Sequence, residues 1–488
     1  MKSDYIKRII IVLLFLLCII STLIIASVCI YNSDANDDII TLKWYAPGET
    51  LNGGITVMEE FNKILYEKAG FRLDLNVFDY NVYADKMNMI IASDDDFDLW
   101  FVGYLNNYDK MVENDNLYNI TSMVENSFLK NEMPEYVWDS ATINNSIYAV
   151  PNMQVMFEQR CLVIKKDLAE KYNLDTSKIK KTEDIEPFLM TIKENEPDIY
   201  PFRINMHEFS FQSIDNYNFY DSTNRCAIWI DKNGELQCKP YYEAPRYKEN
   251  IYKLYDWFKK GYIRKDIASV MSDDKDYQNG RYAVSVDHYK PGAEYEFKLT
   301  NNFDVERVVV SQPYIGINSP NSTMIGIYKK SKHPEEAFKL IEIMNSDKEL
   351  YNMLVFGLEG IHYEKIGENR ITLKSNNYGV RAWSVGNQFN AFFIDEQSED
   401  DWELTKKMNE ETTISEFMGF HVDTSNIRNE IIQVDNVVEK YNVMVTGSRN
   451  PDTYWNDFVQ EMEQAGIHKV CDEIKKQAEE FINAKYNK

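Results

Sequence analysis

The chain has 488 residues and carries 78 Asp and Glu against 53 Lys and Arg, a formal net charge of −25. That balance excludes the clustered positive charge on which nucleic-acid binding depends, and 44% hydrophobic with 14% aromatic residues is the composition of a folded protein. Six cysteines, widely spaced, are too few for a disulfide-dense scaffold, and the six histidines stand singly without metal-ligand spacing.

From Ile9 to Ile30 there is no charged residue. Lys2, Lys7 and Arg8 precede this run and Asp34, Asp37 and Asp38 follow it, which orients the N-terminus inside the cell and the remainder outside. About 22 residues are enough to cross a bilayer core, whereas a cleaved secretory signal has an apolar stretch of roughly 7–15. Ala26-Ser27-Val28-Cys29 resembles a lipoprotein box with Cys29 as the lipidated residue, although Val28 stands where Gly or Ala is usual. A retained helix, a lipid on Cys29 and simple release all export the chain. Past the leader, roughly 450 residues remain, enough for two or three domains.

The exported part opens with a predicted strand, Ile39 to Tyr45, ended by Pro47-Gly48. Ile55, Met58, Phe61 and Leu65 then recur at helical spacing, with Gly70 as the stop. Phe71, Leu73, Leu75 and Val77 alternate with polar residues as a half-buried strand. A second helix lies near Tyr83 to Ile91, and Asp98 to Gly103 is a short apolar run suited to a buried parallel strand. Such alternation predicts an α/β sheet, whose ligands sit beyond the carboxyl ends of the strands. The acidic cluster Asp94 to Asp96 with Asp98 reads as a solvated turn that caps a strand, because the twelve-residue pattern of an EF-hand is absent.

Ile147 to Pro151 is a strand leaving this first lobe, and Leu162-Val163-Ile164 begins a second α/β stretch. Cys226 and Cys238 flank an Asn233-Gly234 turn that predicts a hairpin. Counting outward from that turn sets Cys226 opposite about Tyr241, which argues against a cross-strand disulfide with Cys238. Tyr282 to Val286 and Met324 to Tyr328 are further strands, and Pro334 opens a helix. The end of the chain is helical, with stripes at Trp455, Phe458, Met462 and at Ile467, Val470, Cys471, Ile474, Ala478, Phe481.

This order of pieces resembles the extracellular solute-binding proteins of ABC importers, sugar-type, family 1. Ala92 to Val102 (ASDDDFDLWFV), Asn144 to Asn152 (NNSIYAVPN) and His333 to Leu354 (HPEEAFKLIEIMNSDKELYNML) carry the likeness in the α/β part. Phe356–Glu364 (FGLEGIHYE), Trp383–Phe389 (WSVGNQF), Met418–Asp423 (MGFHVD) and Gln464–Gln477 (QAGIHKVCDEIKKQ) are similar to a lipoprotein subfamily with a distinctive C-terminal domain of unknown function, DUF3502-like. The resemblance implies a two-lobed α/β fold of the periplasmic-binding-protein class II, with a hinge, a central cleft and a helical C-terminus. Its implied boundaries are a signal or anchor at 1–38, a first lobe at 39–150 with about 322–365, and a second lobe at 151–321 with about 366–488. Capture of an oligosaccharide and delivery to ABC permease subunits is the implied function, by a monomer without cofactor or metal, anchored at its N-terminus on the outer face of the membrane.

A cleft binder closes by hinge motion around its ligand. Sugars need aromatic faces for their C–H surfaces and planar polar groups for their hydroxyls. Candidates past strand ends are Tyr45, Tyr104 and Asn106 in the first lobe, Asn152 after the crossing, and Asp287, His288 and Tyr289 in the second; the C-terminal motifs add Glu359, Trp383 and Asn387. Each has a structural alternative: Trp383 as core, His288 with Asp287 as a turn cap, Glu359 as part of a tight turn between Gly357 and Gly360. Trp100 reads as core. Two rival functions are a surface sensor of the same fold that docks on a receptor, and a secreted glycoside hydrolase. The hydrolase needs two carboxylates set about 5–10 Å apart, and no pair is singled out; nor does a nucleophile elbow, zinc motif or phosphate loop appear.

Overall fold

The computed structural model describes residues 39–48, 54–204, 221–270, 272–301, 303–374, 378, 380–395 and 397–486. The apolar run from Ile9 and the lipidation candidate Cys29 lie outside these residues. Among the described residues no helix is long and apolar enough to cross a membrane.

The predicted alternation is present at the start. β1 (Thr41–Pro47), α1 (Gly54–Ala69), β2 (Arg72–Phe78), α2 (Tyr80–Ala92) and β3 (Leu99–Gly103) follow in order. β1 pairs in parallel with both β2 and β3. Period-two alternation buries Leu42, Trp44 and Ala46 completely, whereas all of β3, a central strand, is buried, Trp100 included. The helix stripe is turned from the expected one. Val57, Phe61 and Leu65, four residues apart, face the core, and Ile55 is left exposed. Asp98 accepts from the Lys43 backbone N–H (2.9 Å) and from Ser331 Oγ (2.6 Å), while Asp94 and Asp96 pair with Lys330 and Lys332. The acidic turn therefore stitches β3 to the returning chain.

After α3 (Tyr108–Glu113), β4 (Ala149–Pro151) ends the outgoing part of this lobe, and the second lobe begins with β5 (Arg160–Lys165). Its sheet adds β6 (Tyr200–Phe202), and a separate antiparallel sheet contains β7 (Asp221–Thr223), β8 (Cys226–Ile230) and β9 (Leu236–Pro240). Next come α4 (Tyr247–Lys260), β10 (Tyr282–His288) and β11 (Val305–Val309). The second-lobe sheet runs β11-β5-β10-β6, with β5 antiparallel to both its neighbours. In the hairpin, Cys226 faces Pro240 and Cys238 faces Ile228, one residue from the expected register. The loop is wider than a two-residue turn, because the Asp231 carboxylate accepts from the Asn233 and Glu235 backbone N–H groups and holds five residues outside the ladder.

The chain returns through β12 (Tyr314–Ile315) to β13 (Thr323–Ile327), which lies antiparallel between β3 and β4 and completes the first sheet, β2-β1-β3-β13-β4. α5 (Pro334–Ser346) and α6 (Lys348–Phe356) cover it. The first lobe's core does not stop near residue 365: Val380, Val385, Ala391 and Trp402 all pack into it. The physical reason is that the stretch after 378 lays its apolar side chains back over the sheet instead of crossing to the second lobe.

α7 (Asp401–Glu411) and β14 (Thr413–Ile414) then make a third crossing. The three crossings are clipped to one another. Glu158 and Tyr314 exchange backbone hydrogen bonds of 2.8 and 3.0 Å; β12 pairs with β14; and Asn409 donates to Gln154 O (2.7 Å) and accepts from Met156 N–H (2.8 Å). Beyond them α8 (Arg428–Lys440), α9 (Trp455–Gln464) and α10 (Ile467–Tyr486) pack against the hairpin of the second lobe in a core of their own. Both sides of that core are joined by a disulfide between Cys226 and Cys471, 245 residues apart, with Cα atoms 5.8 Å from each other. Bridges that close such long loops typically add about 2–4 kcal/mol.

Candidate functional site

β1, β2 and β3 run parallel, so their carboxyl ends share one edge, and that edge adjoins the crossings. Gly103 closes β3 where the chain passes the crossing strand: a Cβ there would lie 2.1 Å from Ser322 O. Only glycine lets the backbone come so near, and the turn that follows presents Tyr104. Tyr104 is 58% exposed, yet loss of hydration still raises its phenol pKa above the ordinary value.

Trp383 lies beside Tyr104. Its ring centroid is 5.9 Å from Tyr80, 5.9 Å from Phe101 and 6.4 Å from Tyr104. The backbone beneath the indole is held from two sides: Tyr351 Oη donates to Ala382 O (2.6 Å), and Asn152 Nδ2 donates to Trp383 O (3.2 Å). Asn152 is itself fixed by a backbone bond to Thr323 O (2.9 Å), and its amide oxygen is buried without a protein partner. Asn106, 6% exposed in the turn after Tyr104, leaves both amide atoms buried and unpartnered. Such groups cost free energy unless satisfied by water or ligand.

Across the crossings, the facing edge of the second lobe is polar. β10 ends at His288 directly opposite Arg160, the first residue of β5. Arg307 on β11 is buried and donates to Asp287 Oδ2 (2.9 Å) and to His288 O (2.8 Å). His288 is exposed, but desolvation and then the neighbouring Arg160 pull its pKa below the ordinary imidazole value. Gln159 donates to Ser311 O (3.1 Å), accepts the Tyr289 N–H on its backbone carbonyl (2.7 Å), and keeps a buried side-chain oxygen unpartnered. Tyr289 is half-buried against Phe297 and Cys161.

The structure thus brings Tyr104, Asn106, Asn152 and Trp383 to one edge and Asp287, His288 and Tyr289 to the other. Three candidates fall elsewhere. Tyr45 sits inside β1, short of its end, with its ring stacked on Phe78 (5.3 Å) and edge-on to Phe97 (5.5 Å). Burial, then Asp95 and Asp74, raise its phenol pKa, and both acids belong to the amino-terminal side of the sheet. Tyr45 is a wall residue. Glu359 lies in an exposed turn, 3.7 Å from Lys365. Asn387 spends its side-chain oxygen on the Phe389 N–H (3.0 Å) and is a local cap. Sequence reasoning missed Tyr80, which follows the end of β2 directly after the helix-capping Asp79, and the clamp Arg307. The first was available from the strand-end rule; the second, a lone Arg in an alternating strand, carried no signal.

Aromatic faces suit the C–H surfaces of a sugar ring, and planar polar side chains suit its hydroxyls. Two surface hollows, about 310 Å³ around Asn426, Arg428 and Lys469 and about 370 Å³ between the hairpin at Ile230 to Gln237 and α10, contain no aromatic side chain.

Comparison with known proteins agrees with this geometry. A curated relative from Streptococcus pneumoniae, described as a carbohydrate ABC transporter substrate-binding protein, is 29% identical over 458 residues, 91% of each chain. The structure is similar to the N-glycan transport solute binding protein NgtS of Streptococcus pneumoniae in complex with Man1GlcNAc (TM-score 0.79, 26% identity, 91% of this chain and 99% of that one) and with Man5GlcNAc (TM-score 0.77, 26% identity, 91% and 99%). An HMO-binding, ABC-transporter-associated solute-binding protein from Bifidobacterium longum infantis shares the fold at 13% identity (TM-score 0.61, 91% and 100%). Residues 416–483 match the domain of unknown function DUF3502, the helical region bonded through Cys471. With residues 49–350, which take in the two sheets and the first two crossings, matching the bacterial extracellular solute-binding protein family, the chain belongs to that family.

Proposed function

We propose that this protein captures an oligosaccharide in the cleft between its lobes and hands it to the membrane permease of an ABC importer. The observation that carries the reading is the Tyr80–Tyr104–Trp383 shelf, whose indole backbone is pinned by Tyr351 and Asn152. A ring held in place before binding loses little freedom when a sugar stacks on it. The relative's description and the two glycan complexes of NgtS make short mannose- and N-acetylglucosamine-containing glycans the first class to test. Tyr104, Asn106, Asn152 and Trp383 are the proposed contacts on one side, and Asp287, His288 and Tyr289 on the other. The protein is proposed to bind without hydrolysing, as a monomer.

The test is thermal unfolding of residues 39–488 against a panel of defined glycans. Ligand at 100 times its dissociation constant adds about 2.7 kcal/mol, several degrees for domains of this size. A rise with one glycan class, recovered intact after the experiment, supports the reading; a flat response across the panel sinks it.

We further propose that residues 1–38 hold the domain at the outer membrane face, by a lipid on Cys29 or by the apolar run itself. Cys29→Ala should abolish lipid labelling if the first holds. If the variant keeps the wild-type mass and stays with the membranes, the run is the anchor.

A further inference from the structure

The sulfur atoms of Cys226, Cys238 and Cys471 lie within 4.8 Å of one another. Cys226 and Cys471 form the disulfide and Cys238 carries a free thiol. We propose that Cys238 is an alternative partner for Cys471, so that the three sulfurs form an exchange site which fastens the C-terminal helix α10 to the hairpin by either of two bonds.

The register of the hairpin carries the argument. Cys226 faces Pro240 and Ile228 faces Cys238, so the two hairpin cysteines are diagonal neighbours on one face, two residues out of step. Diagonal pairs stand roughly 7–8 Å apart at Cα, whereas a disulfide spans Cα atoms about 4.4–6.8 Å apart. A bond within the hairpin is therefore disfavoured by geometry. Cys471 comes from above that face, on a helix whose Val470 and Ile474 are fully buried against the same core. Its sulfur is bonded to that of Cys226 and lies within 4.8 Å of that of Cys238.

The exchange balances without an outside oxidant. The Cys238 thiolate attacks Cys471 Sγ; the Cys226–Cys471 bond breaks as the Cys238–Cys471 bond forms; the electron pair leaves on Cys226 sulfur, which takes up a proton equivalent to the one Cys238 gave up. Burial holds this reaction in check. It pushes the Cys238 thiol up to about 12, with Lys475 opposing and Asp472 reinforcing. The attacking thiolate is rare at neutral pH, and its amount grows about tenfold per pH unit.

Peptide mapping of the whole chain under non-reducing conditions, after acid quenching and alkylation of free thiols, tests the proposal. Incubation at pH 9 should yield both Cys226–Cys471 and Cys238–Cys471 peptides, with the second forming about a thousandfold more slowly at pH 6. Cys226→Ala, oxidised with glutathione disulfide, should link Cys238 to Cys471. Cys471→Ala should leave two alkylatable thiols in the hairpin. A Cys226–Cys471 bond alone at both pH values, free Cys238 and Cys471 in Cys226→Ala, or a Cys226–Cys238 bond in Cys471→Ala would each overturn it. If Cys226→Ala does not fold, the wild-type measurement decides alone.

Discussion

The two edges of the cleft are built on opposite principles. The first-lobe edge is an aromatic shelf whose position is set by backbone bonds from buried groups, Tyr351 to Ala382 and Asn152 to Trp383. The second-lobe edge is polar: Arg160 stands opposite His288, and Arg307 holds the Asp287 carboxylate and the His288 carbonyl. One side offers area and little choice. The other offers directed hydrogen bonds that depend on the ligand's pattern of hydroxyls. Affinity is therefore expected to reside mainly in the first lobe and discrimination in the second.

The largest test of that division is Trp383→Ala. Loss of a central aromatic anchor should cost about 2–3 kcal/mol of glycan binding, roughly 30- to 150-fold in Kd by calorimetry. A loss below threefold would remove the shelf from the binding site. Tyr104→Ala should cost about tenfold, while melting is little changed because the ring is largely exposed; an equal loss with every glycan would sharpen the claim that this edge does not discriminate. Arg307→Met comes next. It breaks bonds to Asp287 and the His288 carbonyl, and, with Asp287 near half exposed and so partly screened, should lower stability by about 1–2 kcal/mol. Ratios of Kd between related glycans should change more in this variant than in Tyr104→Ala.

The smallest effect concerns pH. His288 has a lowered pKa in the folded protein, from desolvation and Arg160, with Arg307 adding to it and Glu158 and Asp287 opposing. A base whose folded pKa lies below its unfolded value of about 6.5 binds its proton better when unfolded. Its contribution is complete above that value and is lost as pH falls through the folded pKa. His362, lowered mainly by burial, acts with the same sign. Melting curves between pH 7.5 and 5 should therefore decline less steeply in His288→Asn than in wild type, by a fraction of a kcal/mol. Parallel curves would mean that His288 titrates as in water.

Much of the fold was legible because it is written in local patterns. The alternation of β2, the apolar run of β3 and the Pro-initiated α5 all follow from period and punctuation. The strand-end rule pointed to Tyr104 and the C-terminal motif to Trp383, two rings whose centroids lie 6.4 Å apart. What stayed hidden was long-range. Nothing local in Cys226 and Cys471 announces their bond across 245 residues, and the return of Val380 to Trp402 to the first core is a matter of packing, not period. Tyr45 was misplaced for a simpler reason: its strand runs two residues further, to Pro47, so a residue that reads as terminal is mid-strand.

The mutual clipping of the three crossings bears on how such a molecule signals. Two parallel straps let one body both swing and twist against another; a third strap, tied to each of the first two through Asn409 and the Thr413–Ile414 ladder, would resist the twist and favour rotation about a single axis. The outer surfaces of the lobes then have a single relative orientation when shut, whatever lies between them. A permease of the kind proposed above, touching both surfaces, would then read occupancy, and the choice of solute would be left to the cleft.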